Sequence, residues 1–187
     1  MAYGPRVATE LGLRFIISSV SGIGIYRTWN KEGEDGPSMP MVCEHTDFQY
    51  KSPRKWDFNT YSTEVVSIAL GTNDLSIGDG RIPRTKFDST LFVHQYMAFI
   101  TSIKMHYPKT QIALLSSPLV NGENNELLRR MLLRIKALAD GLYPNDKKVV
   151  YHFFEPMMAH GCSGHPNVEE QEKLANKLTP FFRELVK

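Results

Sequence analysis

Three short stretches carry residue types able to transfer an acyl group. They are Ser21-Gly22-Ile23-Gly24, Gly71-Thr72-Asn73-Asp74 and His160-Gly161-Cys162-Ser163-Gly164-His165-Pro166. Attack on an ester carbonyl creates a tetrahedral oxyanion, which is stabilised by N–H donors already aimed at it. Gly22 lacks a Cβ, so its backbone N–H can approach closely and its φ can be positive. The Asn73 carboxamide offers a second donor. The His165 imidazole can take a proton from a hydroxyl nucleophile and return it to the leaving alcohol. Two donors and a base make up most of a hydrolase.

Such groups must be delivered to one place. Val65-Val66-Ser67-Ile68-Ala69-Leu70 is an apolar run of the kind that forms a fully buried strand, and it ends in Gly-Thr-Asn-Asp. Open α/β sheets gather ligands at the carboxyl ends of their strands. Arg14–Val20 is predicted as the strand leading into Ser21, and Gln111 to Ser116 and Lys148 to Phe154 as two more, which gives four parallel strands. Helical spacing predicts helices over Pro5 to Leu11, Phe87 to Tyr107 and Asn124 to Leu142. A last helix starts at Asn167, with Glu170 three residues on as a capping-box partner, and Pro180 is predicted to break or kink it near Thr179. Residues 30–63 read as a long ordered excursion rich in aromatics, and Leu75 to Lys86 as a loop. Alternating strands and helices imply a three-layer α/β/α fold with a mostly parallel sheet and right-handed crossovers.

The 187 residues fit a single domain spanning 1–187. Apolar content of 42% and charged content of 22% describe an ordinary globular chain. A formal charge of +2, scattered along the chain, gives no reason to expect nucleic acid or an anionic membrane as partner. No apolar run approaches the ~20 residues of a membrane span, and no signal peptide is evident. Cys43 and Cys162 could form at most one bridge. Cys43-Glu44-His45 together with His160, Cys162 and His165 does not match a standard zinc spacing, so no metal or cofactor is expected. Trp29 and Trp56 could stack on a sugar, although core packing is commoner for tryptophan.

The order Ser-Gly-x-Gly, Gly-Thr-Asn-Asp and Cys-x-x-His-Pro resembles blocks two, three and five of the SGNH (GDSL-like) hydrolases, nearly end to end. It is particularly similar to the family two carbohydrate esterases, which are acetyl esterases. The runs Val20-Ser21-Gly22-Ile23-Gly24-Ile25-Tyr26-Arg27 and Trp56-Asp57-Phe58 add to the likeness. The resemblance implies Gly22 and Asn73 in an oxyanion hole, His165 as base, and acetylated oligo- or polysaccharide as substrate. It also implies a secreted or periplasmic setting. In the wider superfamily an Asp three residues before the base orients it; Cys162 stands there, so the resemblance implies a dyad with the His held by a backbone carbonyl.

The family's first block, a strand ending Gly-Asp/Asn-Ser with the nucleophile, does not precede Ser21. Ser18, Ser19 and Ser21 qualify by residue type only, so no nucleophile is assigned. The family's sheet order, two-one-three-four-five, places that strand between its neighbours. Without it, either Arg14–Val20 shifts to pair directly with Val65–Leu70, or a second copy of the chain fills the gap as a homo-oligomer. An inactive remnant or sugar-binding module of the same fold is the alternative to an esterase.

Overall fold

A parallel sheet with helices on both faces organises the chain. The computed structural model describes residues 1–31, 36–81 and 83–187. In chain order the elements are α1 (Tyr3–Glu10), α2 (Met39–Val42), β1 (Val65–Ile68), α3 (Ser89–His106), β2 (Gln111–Leu115), α4 (Gly122–Leu142), β3 (Val150–His152) and α5 (Val168–Leu185). The sheet order is β1-β2-β3, with Val65 opposite Gln111 and Ala113 opposite Val150, and both pairings are parallel.

The period-two pattern of β2 explains the layering. Ile112 and Leu114 enter one core with Ile68, Phe92, Tyr96, Ile100, Leu128, Leu132 and Ile135, while Leu115 joins Val7, Phe154, Leu174 and Leu178 in a second core. The first lies under α3 and α4, the second under α1 and α5. Burying each such large side chain contributes about 1.5–3 kcal/mol, which outweighs any single helix cap at about 1 kcal/mol. The caps nonetheless set where helices begin. Asp88 accepts the Thr90 and Leu91 amides at 2.9 Å ahead of α3. Asn167 and Glu170 form the expected reciprocal capping box, at 2.9 and 2.8 Å.

Two expectations need correction. Arg14–Val20 forms no strand: it pairs with nothing in the described residues, and the sheet has three strands rather than four. Nor does it shift onto Val65–Leu70, since among the described residues β1 ladders only with β2. An apolar β-branched run specifies an extended backbone, but a strand also needs a neighbour at hydrogen-bonding distance. Pro180 does not break the last helix, which continues to Leu185. Pro180 is exposed, and the Thr179 hydroxyl before it lies 3.0 Å from both the Ala175 carbonyl and the Glu10 carboxylate, fastening α5 to α1 at that point.

The excursion is ordered where described, although 32–35 lie outside the described residues. His45 and Lys55 bridge antiparallel, and the Met39 amide returns to the Gly24 carbonyl at 2.8 Å. Among the described residues no helix is long and apolar enough to cross a membrane.

Candidate active site

The carboxyl ends of β1 and β3 and the turn at Ser21 share one rim of the sheet. Gly22 has φ of +76°, and a Cβ there would lie 2.6 Å from Trp29 Cδ1, so only glycine fits. The Gly22 carbonyl accepts the Trp29 amide at 2.7 Å, which keeps Trp29 against the turn, the residue being 43% exposed.

Asn73 and Asp74 fasten this turn to the end of β1. Asn73 Nδ2 donates to the Ile23 carbonyl at 2.7 Å, beside Gly22. One amide hydrogen is thereby engaged and the other remains for a ligand. Asp74 is fully buried, and its carboxylate accepts the Ile25 and Tyr26 amides at 2.9–3.0 Å. Burial pushes the Asp74 carboxyl up, against the downward pull of the Tyr26 and Ile25 amides. Arg27 donates back to the Asp74 carbonyl through Nε, at 2.8 Å, and through Nη2. Arg84 binds the Trp29 and Ser76 carbonyls at 2.6 and 2.8 Å and the Thr28 carbonyl at 2.6 Å, clamping the two loops from outside.

The third loop is built around Glu170. Its carboxylate accepts the Asn167 amide at 2.8 Å and the His160 amide at 3.0 Å, and pairs with His160 Nδ1. The His160 ring, then the two amides, lower the Glu170 carboxyl to about 2. Within the loop His165 is exposed, and its Nδ1 lies 3.3 Å from the Cys162 carbonyl. A proton on Nδ1 satisfies that carbonyl and leaves Nε2 as the basic nitrogen. The Cys162 thiol lies 3.7 Å from Ser163 Oγ.

The structure thus links Asn73 to the Gly22 turn through the Ile23 carbonyl. His165 sits on the loop between β3 and α5, with no hydrogen bond to either. Ser18, Ser19 and Ser21 are exposed. Cys43 and Cys162 are unbridged, and burial pushes the Cys43 thiol up to about 11. Among the described residues no three metal-ligating side chains cluster. A cavity of about 300 Å³ lies at the opposite end of the sheet, lined by Phe58, Tyr61, Thr63, His106, Lys109 and Thr110, and holds none of the candidate residues.

Sequence reasoning missed the tethering roles of Asp74, Arg27 and Arg84, and the place of Trp29 beside Gly22. An Asp following the candidate donor was the one available signal for the first; the arginine contacts cross about fifty residues and leave no local pattern.

No protein-family model matches the chain. It is 28% identical over 190 residues to an acetylxylan esterase/glucomannan deacetylase of Cellvibrio japonicus, covering 98% of this chain and 49% of that protein. It is 30% identical over 183 residues to the cellulase/esterase CelE of Acetivibrio thermocellus, covering 96% of this chain and 21% of that protein. A family two carbohydrate esterase from Clostridium thermocellum, solved in complex with cellohexaose, superimposes with a TM-score of 0.83 at 26% identity, over 97% of this chain and 53% of that one. A putative GDSL-like lipase from Bacteroides ovatus shares the fold, with a TM-score of 0.61 at 17% identity, over 98% of this chain and 78% of that one. The chain spans about half the length of the curated acetylxylan esterases it matches.

Proposed function

The chain's homologues and structural neighbours are family two carbohydrate esterases and a GDSL-like lipase, and from that premise we propose that it contributes the oxyanion donors and the base of a carbohydrate O-acetyl esterase. The observation that carries this reading is the bond from Asn73 to the Ile23 carbonyl, which sets the Asn73 amide beside the Gly22 turn. No serine of residues 1–187 is assigned as the nucleophile, Ser18, Ser19 and Ser21 qualifying by residue type alone.

In this reading the serine oxygen bonds to the acetyl carbon while its proton passes to His165 Nε2. The Gly22 N–H and the second Asn73 amide hydrogen meet the oxyanion. Collapse expels the sugar alkoxide, which takes the proton from His165. Water then repeats the sequence, releasing acetate and restoring the serine. Trp29, half exposed beside Gly22, offers an apolar face to a sugar ring.

A second reading, a sugar-binding module without turnover, is favoured by one observation. Ser18, Ser19 and Ser21 are exposed, and among the described residues none of them hydrogen-bonds the His165 ring.

Turnover of 4-nitrophenyl acetate by this chain and by a version extended upstream in its gene separates the two. Activity in the extended form alone supports the esterase with a supplied serine. Silence in both, with retained oligosaccharide binding, supports the module.

A further inference from the structure

One side chain closes the loop that carries His165. Glu170 is buried in the first turn of α5. A single carboxylate oxygen, Oε2, accepts the amides of both loop ends, His160 at 3.0 Å and Asn167 at 2.8 Å. The other oxygen, Oε1, pairs with Nδ1 of the His160 ring. His160 therefore meets the carboxylate twice, once through its main chain and once through its side chain. A helix cap needs only the Asn167 half of this arrangement. The His160 half does nothing for the helix and serves the loop.

Within the closed loop His165 is bonded at three points. Its carbonyl accepts the Gly161 amide at 2.8 Å, and its amide donates to the Cys162 carbonyl at 3.1 Å. Its Nδ1 lies 3.3 Å from that same carbonyl. Gly161 is packed tightly here, since a Cβ would stand 2.5 Å from the His165 carbonyl oxygen and 3.0 Å from the Asn167 nitrogen. Between Cys162 and His165 the backbone turns through two left-handed residues, Ser163 at φ +53° and Gly164 at φ +71°. Serine rarely adopts that conformation, which persists only where the surroundings over-determine it. The bond to His165 Nδ1 is long for an N–H donor, so it holds the ring only while the Cys162 carbonyl stays in place. Among the described residues, the α5 side chains that grip the loop are Glu170 and Gln171, and the Gln171 bond to the Pro166 carbonyl is long, at 3.4 Å.

We propose that Glu170 and His160 are positioning residues for His165: the carboxylate ties residue 160 to residue 167, the His160 ring locks the carboxylate, and the closed loop presents the Cys162 carbonyl that fixes the His165 ring as its Nδ1–H tautomer. Without the His160 ring the carboxylate is free to turn, and the 160 end of the loop loses its hold. Ser163 can then relax, and the Cys162 carbonyl moves off Nδ1. What His165 does with Nε2 rests on the esterase reading; how its ring is held does not.

The readout is the tautomer of the His165 ring, followed by ring-nitrogen NMR of the full chain at about pH 8, where an ordinary imidazole is neutral. The Nδ1–H form should dominate in the parent. Glu170→Gln keeps a helix-capping side chain, and His160→Ala leaves Glu170 intact. In both, the ratio of Nδ1–H to Nε2–H should fall about fivefold or more, the range that one hydrogen bond controls. His160→Asn returns an amide donor to the carboxylate and should restore the parental ratio. The His160 side chain is 64% exposed, so both of its variants should fold. Asn167→Ala removes the acceptor of the Glu170 amide, at 2.9 Å, and weakens the helix start without touching the grip on the loop, so its ratio should stay parental. A parental ratio in folded E170Q or in H160A, no recovery in H160N, or an equal fall in N167A would overturn the proposal. In a form of the protein with esterase activity, H160A should also lower kcat about fivefold with KM within about twofold. A shifted tautomer with unchanged kcat would uphold the positioning and remove His165 as base, so the two failures remain separate results.

Discussion

The fully buried Asp74 carboxylate accepts the Ile25 amide through both oxygens, at 3.0 and 2.9 Å. A Cβ on Gly24 would lie 2.4 Å from Asp74 Oδ2 and 2.4 Å from the Arg27 carbonyl. Together with the bond from Asn73 to the Ile23 carbonyl, this contact fastens the Ser21 turn to the end of β1. Asp74 is therefore a positioning residue.

Asp74→Ala removes the acceptor of the Ile25 and Tyr26 amides and should cost of order 3 kcal/mol, at about 1.5 per lost charge-assisted bond. Gly24→Ala should destabilise comparably, because backbone and a buried carboxylate must both move. Urea unfolding midpoints check both. A midpoint unchanged from the parent in either variant would remove Asp74 from this role.

Asn73→Ala loses one hydrogen bond to Ile23, about 1 kcal/mol of stability, and keeps the carboxylate tether next to it. In a form of the protein with esterase activity it should lower kcat by about 10²–10³, the usual loss for one oxyanion donor. Full activity on 4-nitrophenyl acetate with Asn73 absent would refute the donor assignment.

Cys162 and His165 separate the roles of side chain and backbone. His165 is held by the Cys162 carbonyl, so Cys162→Ala should leave activity within about twofold, whereas His165→Ala should lower it by about 10²–10⁴. A large loss in C162A, read as kcat at constant fold, would show that the thiol contributes after all.

Glu170 makes the fold acid-sensitive in a defined window. Its folded-state carboxyl is lowered from 4.5 to about 2, chiefly by the His160 ring. A depressed acid contributes stability above its unfolded value, and that stability is lost as the proton is taken up on the way down. The parent should therefore lose stability between about pH 4.5 and pH 2 more steeply than Glu170→Gln, by thermal midpoints across that range. Parallel profiles would place the pairing with His160 outside the stability balance.

The local patterns determined much of this protein. Apolar runs and helical spacing located β1, β2, β3 and all three long helices, and Asn167 with Glu170 marked the start of α5, because such signals act over a few residues. Glycine at 22 and the amide at 73 stood out as candidate donors from residue type and from the order of the blocks. Tertiary structure decided what these residues touch. It showed that Asp74 fastens the turn, that Arg84 clamps it, that Trp29 lies on Gly22, and that Glu170 holds His160 rather than only capping a helix. Those contacts join residues remote in sequence, and spacing along a chain does not encode them. The same reason explains Arg14–Val20. Its residues specify an extended backbone, but a strand exists only when a second backbone meets its N–H and C=O groups, and residues 1–187 as described place none there.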